Sequence, residues 1–166
     1  MAVQADFQPE AVIRLLGRHK VQYVLIGGLA GVTHGAPIVT VDIDICHART
    51  ADNLARLAAA LSEVQATLRG ADPQLPFRLG ARTLSAGDSF TFDTTLGALD
   101  ILGTPSGTAG YDDLARTAIT YDLFGNRVLV ASVDDLIRMK RAAGRPKDLL
   151  AVEQLGALRE ELDRRA

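Results

Sequence analysis

The chain has one cysteine, Cys46, no tryptophan and three histidines among its 166 residues. A lone cysteine excludes an internal disulfide. Following an apolar and acidic run, Cys46 reads as a small core residue rather than a nucleophile. His19 and His47 have no second ligand at useful spacing, which argues against a zinc site. His34, beside a glycine, reads as a structural or solvated residue. Neither sign of charge dominates: 18 lysines and arginines stand against 20 acids, a formal net charge of -2. No global basic field would draw in nucleic acid, so any RNA contact would need a local patch. No apolar run approaches the length that spans a bilayer, and Met1 to Pro9 lacks a basic region followed by an apolar stretch. A cytoplasmic protein without membrane partners is the expectation.

What is present is ordinary for a globular domain, with 48% hydrophobic and 23% charged residues, enough chain to bury one core. A single domain over 1–166 is expected, with its core at about 21–130 and carboxy-terminal helices at about 133–166. Pro9 suits a first helical position, and apolar residues recur at helical spacing to about His19. Val21 to Ile26 reads as a buried strand ending at Gly27-Gly28, with a helix over Leu29 to His34 behind that turn. Ile38 to Cys46 alternates β-branched residues with Thr40, Asp42 and Asp44, a period-two strand. Thr50 caps a helix to about Ala66, which the Gly70 to Pro76 stretch ends. Phe77 to Leu102 reads as short strands, with a hairpin of Ser89–Thr94 and Ala98–Leu102 turning around Leu96-Gly97. Tyr111 to Ala118 reads as a helix, Ile119 to Leu123 and Arg127 to Val130 as a small hairpin about Phe124-Gly125-Asn126, and Ser132 with Asp135 as a helix cap. Helices over Val133 to Ala143 and Lys147 to about Arg165 close the chain. The acids at Asp112-Asp113 and Asp134-Asp135 sit at helix starts, where they complement the dipole without a catalytic role.

The anomaly is acid inside strands. A carboxylate in a buried strand is costly unless paired or bound to a cation. Asp42 and Asp44, two residues apart, share one face, where their like charges raise one proton affinity unless a divalent ion neutralises them. Asp100, in the apolar run Leu99-Asp100-Ile101-Leu102, completes a cluster if its strand lies beside the first. Three carboxylates suit two magnesium ions, with manganese as a substitute, since these hard cations take oxygen ligands and keep positions for water and phosphate. Gly27-Gly28, between strand and helix, lets backbone amides approach phosphate oxygens; the same pair also serves as a simple tight turn.

Taken together, Ile26-Gly27-Gly28, Thr40-Val41-Asp42-Ile43-Asp44-Ile45 and Leu99-Asp100-Ile101 resemble the signature of the nucleotidyltransferase superfamily related to DNA polymerase β. Met139-Lys140-Arg141-Ala142-Ala143-Gly144-Arg145-Pro146-Lys147-Asp148 is similar to the lysine helix and Arg-x-Lys-Asp stretch of its AbiEii-like branch, which includes toxins of type IV toxin–antitoxin systems. The resemblance spans roughly 21–155. It implies an α+β (mixed α/β) fold, with a mixed, mostly antiparallel sheet, helices packed on one side and a helical tail. It implies transfer of a nucleoside monophosphate from a nucleoside triphosphate such as ATP to a hydroxyl, with release of pyrophosphate. Asp42, Asp44 and Asp100 would be the catalytic metal ligands. Gly27, Gly28 and Lys140 would meet the triphosphate, while Arg145, Lys147 and Asp148 would shape the nucleotide or acceptor pocket. The acceptor could be a tRNA end, a protein or a small molecule, and a cognate antitoxin or toxin is a possible partner. Many relatives carry an arginine where this chain has Ile38, so any contact that arginine makes is missing.

Each motif also has a plainer reading. Strand acids can be satisfied by local hydrogen bonds, Lys140 can be a solvated helix residue, Arg145 and Lys147 a charged helix entry, and Asp148 a first-turn acid. The alternative function is a non-catalytic, antitoxin-like member of the fold that binds nucleotide or a partner. Three intact carboxylates argue against it, since unpaired buried charge without a metal is destabilising.

Overall fold

The computed structural model describes residues 5–166, so the first four residues of the amino-terminal stretch lie outside it. Seven helices and seven strands follow in the order α1 (Pro9–Arg18), β1 (Tyr23–Ile26), α2 (Gly27–His34), β2 (Asp42–His47), α3 (Ala51–Glu63), β3 (Thr67–Leu68), α4 (Ala81–Ala86), β4 (Ser89–Thr94), β5 (Gly97–Leu102), α5 (Tyr111–Thr117), β6 (Ile119–Leu123), β7 (Asn126–Val130), α6 (Val133–Ala143) and α7 (Pro146–Arg165). One sheet, ordered β3-β4-β5-β2-β1-β7-β6, carries all the strands, with helices packed around it. Four of its pairings are antiparallel and two, β1 with β7 and β2 with β5, are parallel. This is the mixed, mostly antiparallel sheet with a helical tail that the resemblance implied. No helix among the described residues is long and apolar enough to cross a membrane.

The alternation in β2 divides the sheet. Ile43 and Ile45 are fully buried, and they enter a core with Leu15, Leu16, Leu25, Leu57, Leu61 and Ile101. Each such side chain contributes about 1.5–3 kcal/mol by leaving water. Asp42 and Asp44 point to the opposite face. Cys46 is buried and free, its thiol pushed up to about 12 chiefly by burial, as befits a core residue. His34 is likewise structural: Nε2 donates to Ala131 O at 2.7 Å and Nδ1 accepts from the Tyr121 hydroxyl at 2.9 Å.

Caps and turns follow local chemistry. The Asn53 amide donates to Thr50 Oγ1 and the Asp135 amide to Ser132 Oγ, each satisfying an orphan donor at a helix start. The Phe124-Gly125 turn takes φ of 53° and 80°, the twist that matches a two-residue hairpin. Asp113 accepts from the Ala109 amide and pairs with Arg138, which also pairs with Asp135.

Three elements differ from the sequence expectation. Residues 38–41 are not strand: β2 begins at Asp42, because β5 first pairs at Asp42 with Ala98 and β1 reaches only Asp44. Without a partner, even a β-branched run stays irregular. The helix α3 stops at Glu63, where Gln65 turns left-handed at φ 53°, and the chain then adds the two-residue strand β3 at the sheet edge. Helix α4 occupies part of the stretch expected to hold only strands. It is one six-residue segment with no side-chain cap, held by burying Leu84 rather than by a periodic pattern.

Candidate active site

The parallel register of β2 and β5 sets Asp44 directly beside Asp100, with Asp42 one pleat away on the same face. One carboxylate oxygen from each of Asp42, Asp44 and Asp100 lies within 4.8 Å of the others. The Asp44 carboxyl is pushed up to about 7, first by burial and then by the charges of Asp42 and Asp100, with Lys140 opposing the rise. Hard oxygen donors, mutual repulsion and partial burial fit a divalent cation, which would relieve the repulsion that the protein's own cations offset only in part.

Gly27 is required twice. Its φ of 71° lies in the left-handed region, and a Cβ built there would overlap Asp44 Oδ2, so only glycine lets β1 turn into α2 beneath that carboxylate. The pair is therefore not a turn ahead of the helix but its first two residues. Ile26 caps α2 without a side-chain hydrogen bond, so no side chain among the described residues satisfies the first amides of the helix, and Gly27 and Gly28 line the cleft. A Cβ on Gly28 would come within 2.9 Å of Thr40 Cβ. The loop 36–41 therefore lies against α2, held further by Thr40 Oγ1 donating to Asp42 O at 3.0 Å. Ile38 covers the small-residue face of α2: its Cδ1 is 3.0 Å from where a Gly31 Cβ would stand.

Helices α6 and α7 form the opposite wall. Asp148 is fully buried, yet its carboxylate is completely engaged: it accepts from Arg145 Nε at 2.6 Å, Arg145 Nη2 at 3.2 Å and the Arg145 amide at 3.1 Å, with Lys140 Nζ at 3.5 Å. These contacts, led by the Arg145 side chain, hold Asp148 down to about 2. Asp148 thus joins α6 to α7 and aims Lys140 and Arg145 into the cleft, rather than offering a free carboxylate to a ligand. Gly27, Gly28, Asp42, Asp44, Asp100, Lys140, Arg145, Lys147 and Asp148 all line a single cleft of about 600 Å³, the size of a small-ligand site.

The sequence reading missed Arg69. Its Nη2 donates to Asp100 Oδ1 at 2.9 Å and to Phe92 O at 2.8 Å, while Nε donates to Asp93 Oδ1 at 3.1 Å. It orients Asp100 and offsets part of the cluster's charge. No spacing rule reveals it, because it follows a two-residue strand that exists only through pairing with β4. Beyond Asp100, the register places Thr91, Ser89 and Leu102 on the same face, and Pro105 and Ser106 close that end of the cleft.

Solved structures share this fold. The lincosamide antibiotic adenylyltransferase LnuA, in its lincomycin-bound form, is similar with a TM-score of 0.60 at 14% identity, covering 92% of this chain and 99% of that one. A candidate nucleotidyltransferase from Thermotoga maritima is similar with a TM-score of 0.52 at 18% identity, covering 96% and 97%. At these identities the likeness shows the nucleotidyltransferase fold, while function has to be argued from the site. No protein-family model and no curated protein matches the chain.

Proposed function

We propose that the chain is a magnesium-dependent nucleotidyltransferase. The observation that carries this reading is the convergence of three like-charged carboxylates with a glycine-gated helix start and three cations in one cleft. Asp42, Asp44 and Asp100 would hold two magnesium ions, or manganese in their place. Bound there, the ions would supply Lewis-acid stabilisation of the triphosphate and of the attacking oxygen. The amides at Gly27 and Gly28 and the ammonium of Lys140 bind phosphate oxygens, with Arg145 and Lys147 adding positive charge at the wall. The acceptor hydroxyl forms a bond to the α-phosphorus as the bond to the β-phosphate bridging oxygen breaks, and pyrophosphate leaves. Asp100, steadied by Arg69, accepts the hydroxyl proton.

The acceptor best suited to the cleft is a small hydroxylated amphipathic molecule. Arg69, beside Asp100, and Arg49, which pairs with Asp88, are already engaged with carboxylates, so neither is free for the phosphates of a tRNA end. Ser89, Thr91 and Ser106 offer hydroxyls beside Leu102 and Pro105. The lincosamide adenylyltransferase shows that this fold can serve an antibiotic. Membership of the AbiEii-like branch, and with it a toxin–antitoxin role, rests on the Met139–Asp148 stretch alone.

The test is calorimetric titration with each nucleoside triphosphate plus magnesium, alongside an Asp42→Ala, Asp44→Ala variant. Magnesium-dependent binding that the variant loses supports the reading. Absence of binding by the folded protein, or equal binding by the variant, favours the non-catalytic alternative.

A further inference from the structure

The cleft extends past the phosphate-binding groups, and its far end is chemically different. Loop residues Ile38, Val39 and Val41 form one wall there, and Ala151, Gln154 and Leu155 of α7 form the other. The two walls meet over α2: Ile38 Cδ1 and Leu155 Cδ2 lie 3.0 and 3.6 Å from where a Gly31 Cβ would stand. Val39 and Val41 are 94% and 71% exposed. Two β-branched side chains left in water at the mouth of a cleft mark a surface that a ligand covers.

Lys147, Ala151 and Gln154 recur at i, i+4 and i+7, so they share the cleft face of α7. Seven residues of helix span about 10 Å. A nucleotide whose phosphates reach Gly27, Gly28 and Lys140 therefore lays its base along α7, between Ala151 and the valines. Gln154 is a polar side chain at that end, where the Thr40 hydroxyl is already donated to Asp42 O. Its amide lies outside the network that joins Asp148 to Arg145 and Lys140.

We infer that residues 38–41 and the Ala151–Leu155 stretch of α7 form a nucleobase slot in which Gln154 selects adenine; this rests on the reading of the cleft as a nucleoside triphosphate site. A glutamine amide offers one donor and one acceptor side by side, the complement of the amino group and ring nitrogen on adenine's edge. On that edge guanine presents two acceptors, N7 and O6, so the amide oxygen of Gln154 finds no donor there. Pyrimidines would cover less of Ile38, Val39 and Ala151.

The experiment titrates the full chain with ATP, GTP, CTP, UTP and inorganic tripolyphosphate, each with magnesium, and repeats the series with Gln154→Ala and Ala151→Leu. Alanine at a half-buried helix position preserves the helix. The expected result is ATP bound at least about tenfold more tightly than GTP, the scale of one bidentate base contact. Gln154→Ala should level that preference, and Ala151→Leu should weaken ATP by crowding the slot. Both should leave tripolyphosphate binding unchanged. Equal binding of all four nucleotides by the wild type, or an adenine preference that survives Gln154→Ala, overturns the slot while leaving the triphosphate site intact. Failure of the folded wild type to bind tripolyphosphate or any nucleotide overturns the site reading and this inference together.

Discussion

Two groups of carboxylates face the same cleft and have opposite fates. Asp148 is fully buried, but two cationic side chains and a backbone amide hold it ionised, down to about 2. Asp44 is only partly buried, yet its nearest charged neighbours are two further acids and its carboxyl rises to about 7. Exposure alone therefore does not separate a structural acid from a functional one: Asp148 is covered by the cations that pair with it, whereas Asp44 is partly buried without an ion-pair partner among the described residues. A protein built only for stability would not line up Asp42, Asp44 and Asp100 with only Arg69 and Lys140 to offset part of their charge. The cluster gains meaning only with a ligand that brings positive charge.

The largest expected effect breaks the unsatisfied group. Asp44→Asn should lower nucleotidyl transfer by at least roughly 10²–10³-fold, the scale of one preorganised electrostatic group. In the absence of metal it should raise the melting temperature by removing repulsion. A lower melting temperature would show Asp44 to be a stabilising acid like Asp148. Gly27→Ala should abolish magnesium-dependent triphosphate binding as well, since the methyl group would overlap Asp44 Oδ2; calorimetry on the folded variant reads this directly.

On the satisfied side, Asp148→Ala should destabilise the fold by about 2–4 kcal/mol, the sum of a lost helix cap and charge-assisted hydrogen bonds. Denaturant unfolding measures it, and a loss below about 0.5 kcal/mol would remove Asp148 as the anchor of α6 to α7.

The two groups also carry opposite pH signatures. Asp44 binds its proton more tightly folded than unfolded, so in metal-free protein its contribution to stability falls as pH rises from about 4 to about 7. Asp148 binds its proton less tightly when folded. Its stabilisation is complete above the ordinary carboxylate value and is lost as pH drops towards about 2. Stability profiles of Asp44→Asn and Asp148→Ala, each subtracted from wild type, should therefore slope in opposite directions. Magnesium affinity should weaken as pH falls from 8 to 6, when protons compete for Asp44.

The smallest effect concerns a third buried group. Both ring nitrogens of His47 are buried without a hydrogen-bond partner, and burial, with Arg49 adding to it, lowers its pKa to about 4. The unfolded chain protonates first, so His47 should cost stability as pH falls from 6.5 towards 4. His47→Leu should flatten that part of the acid limb in thermal melts.

Most of this site was legible from residue order alone. Period-two alternation placed Asp42 and Asp44 on one face, and an acid within Leu99–Leu102 flagged Asp100, because charge in an apolar strand needs a reason. The glycine pair, the Ser132 cap and the helix over Val133 to Ala143 were equally local, since their signals span only a few residues. Three matters belonged to the tertiary structure. Strand pairing decided that the β-branched run 38–41 stays a loop facing the cleft, because a strand exists only where a neighbour supplies its hydrogen bonds. Edge pairing created β3 and delivered Arg69 to Asp100 from thirty-one residues away in sequence. Packing of α6 against α7 turned Asp148 from an exposed first-turn acid into a buried anchor. Local chemistry sets propensity, face and cap, and the sequence by itself determined those; which carboxylate finds a cation depends on segments far apart in the chain, and only their folding together decided it.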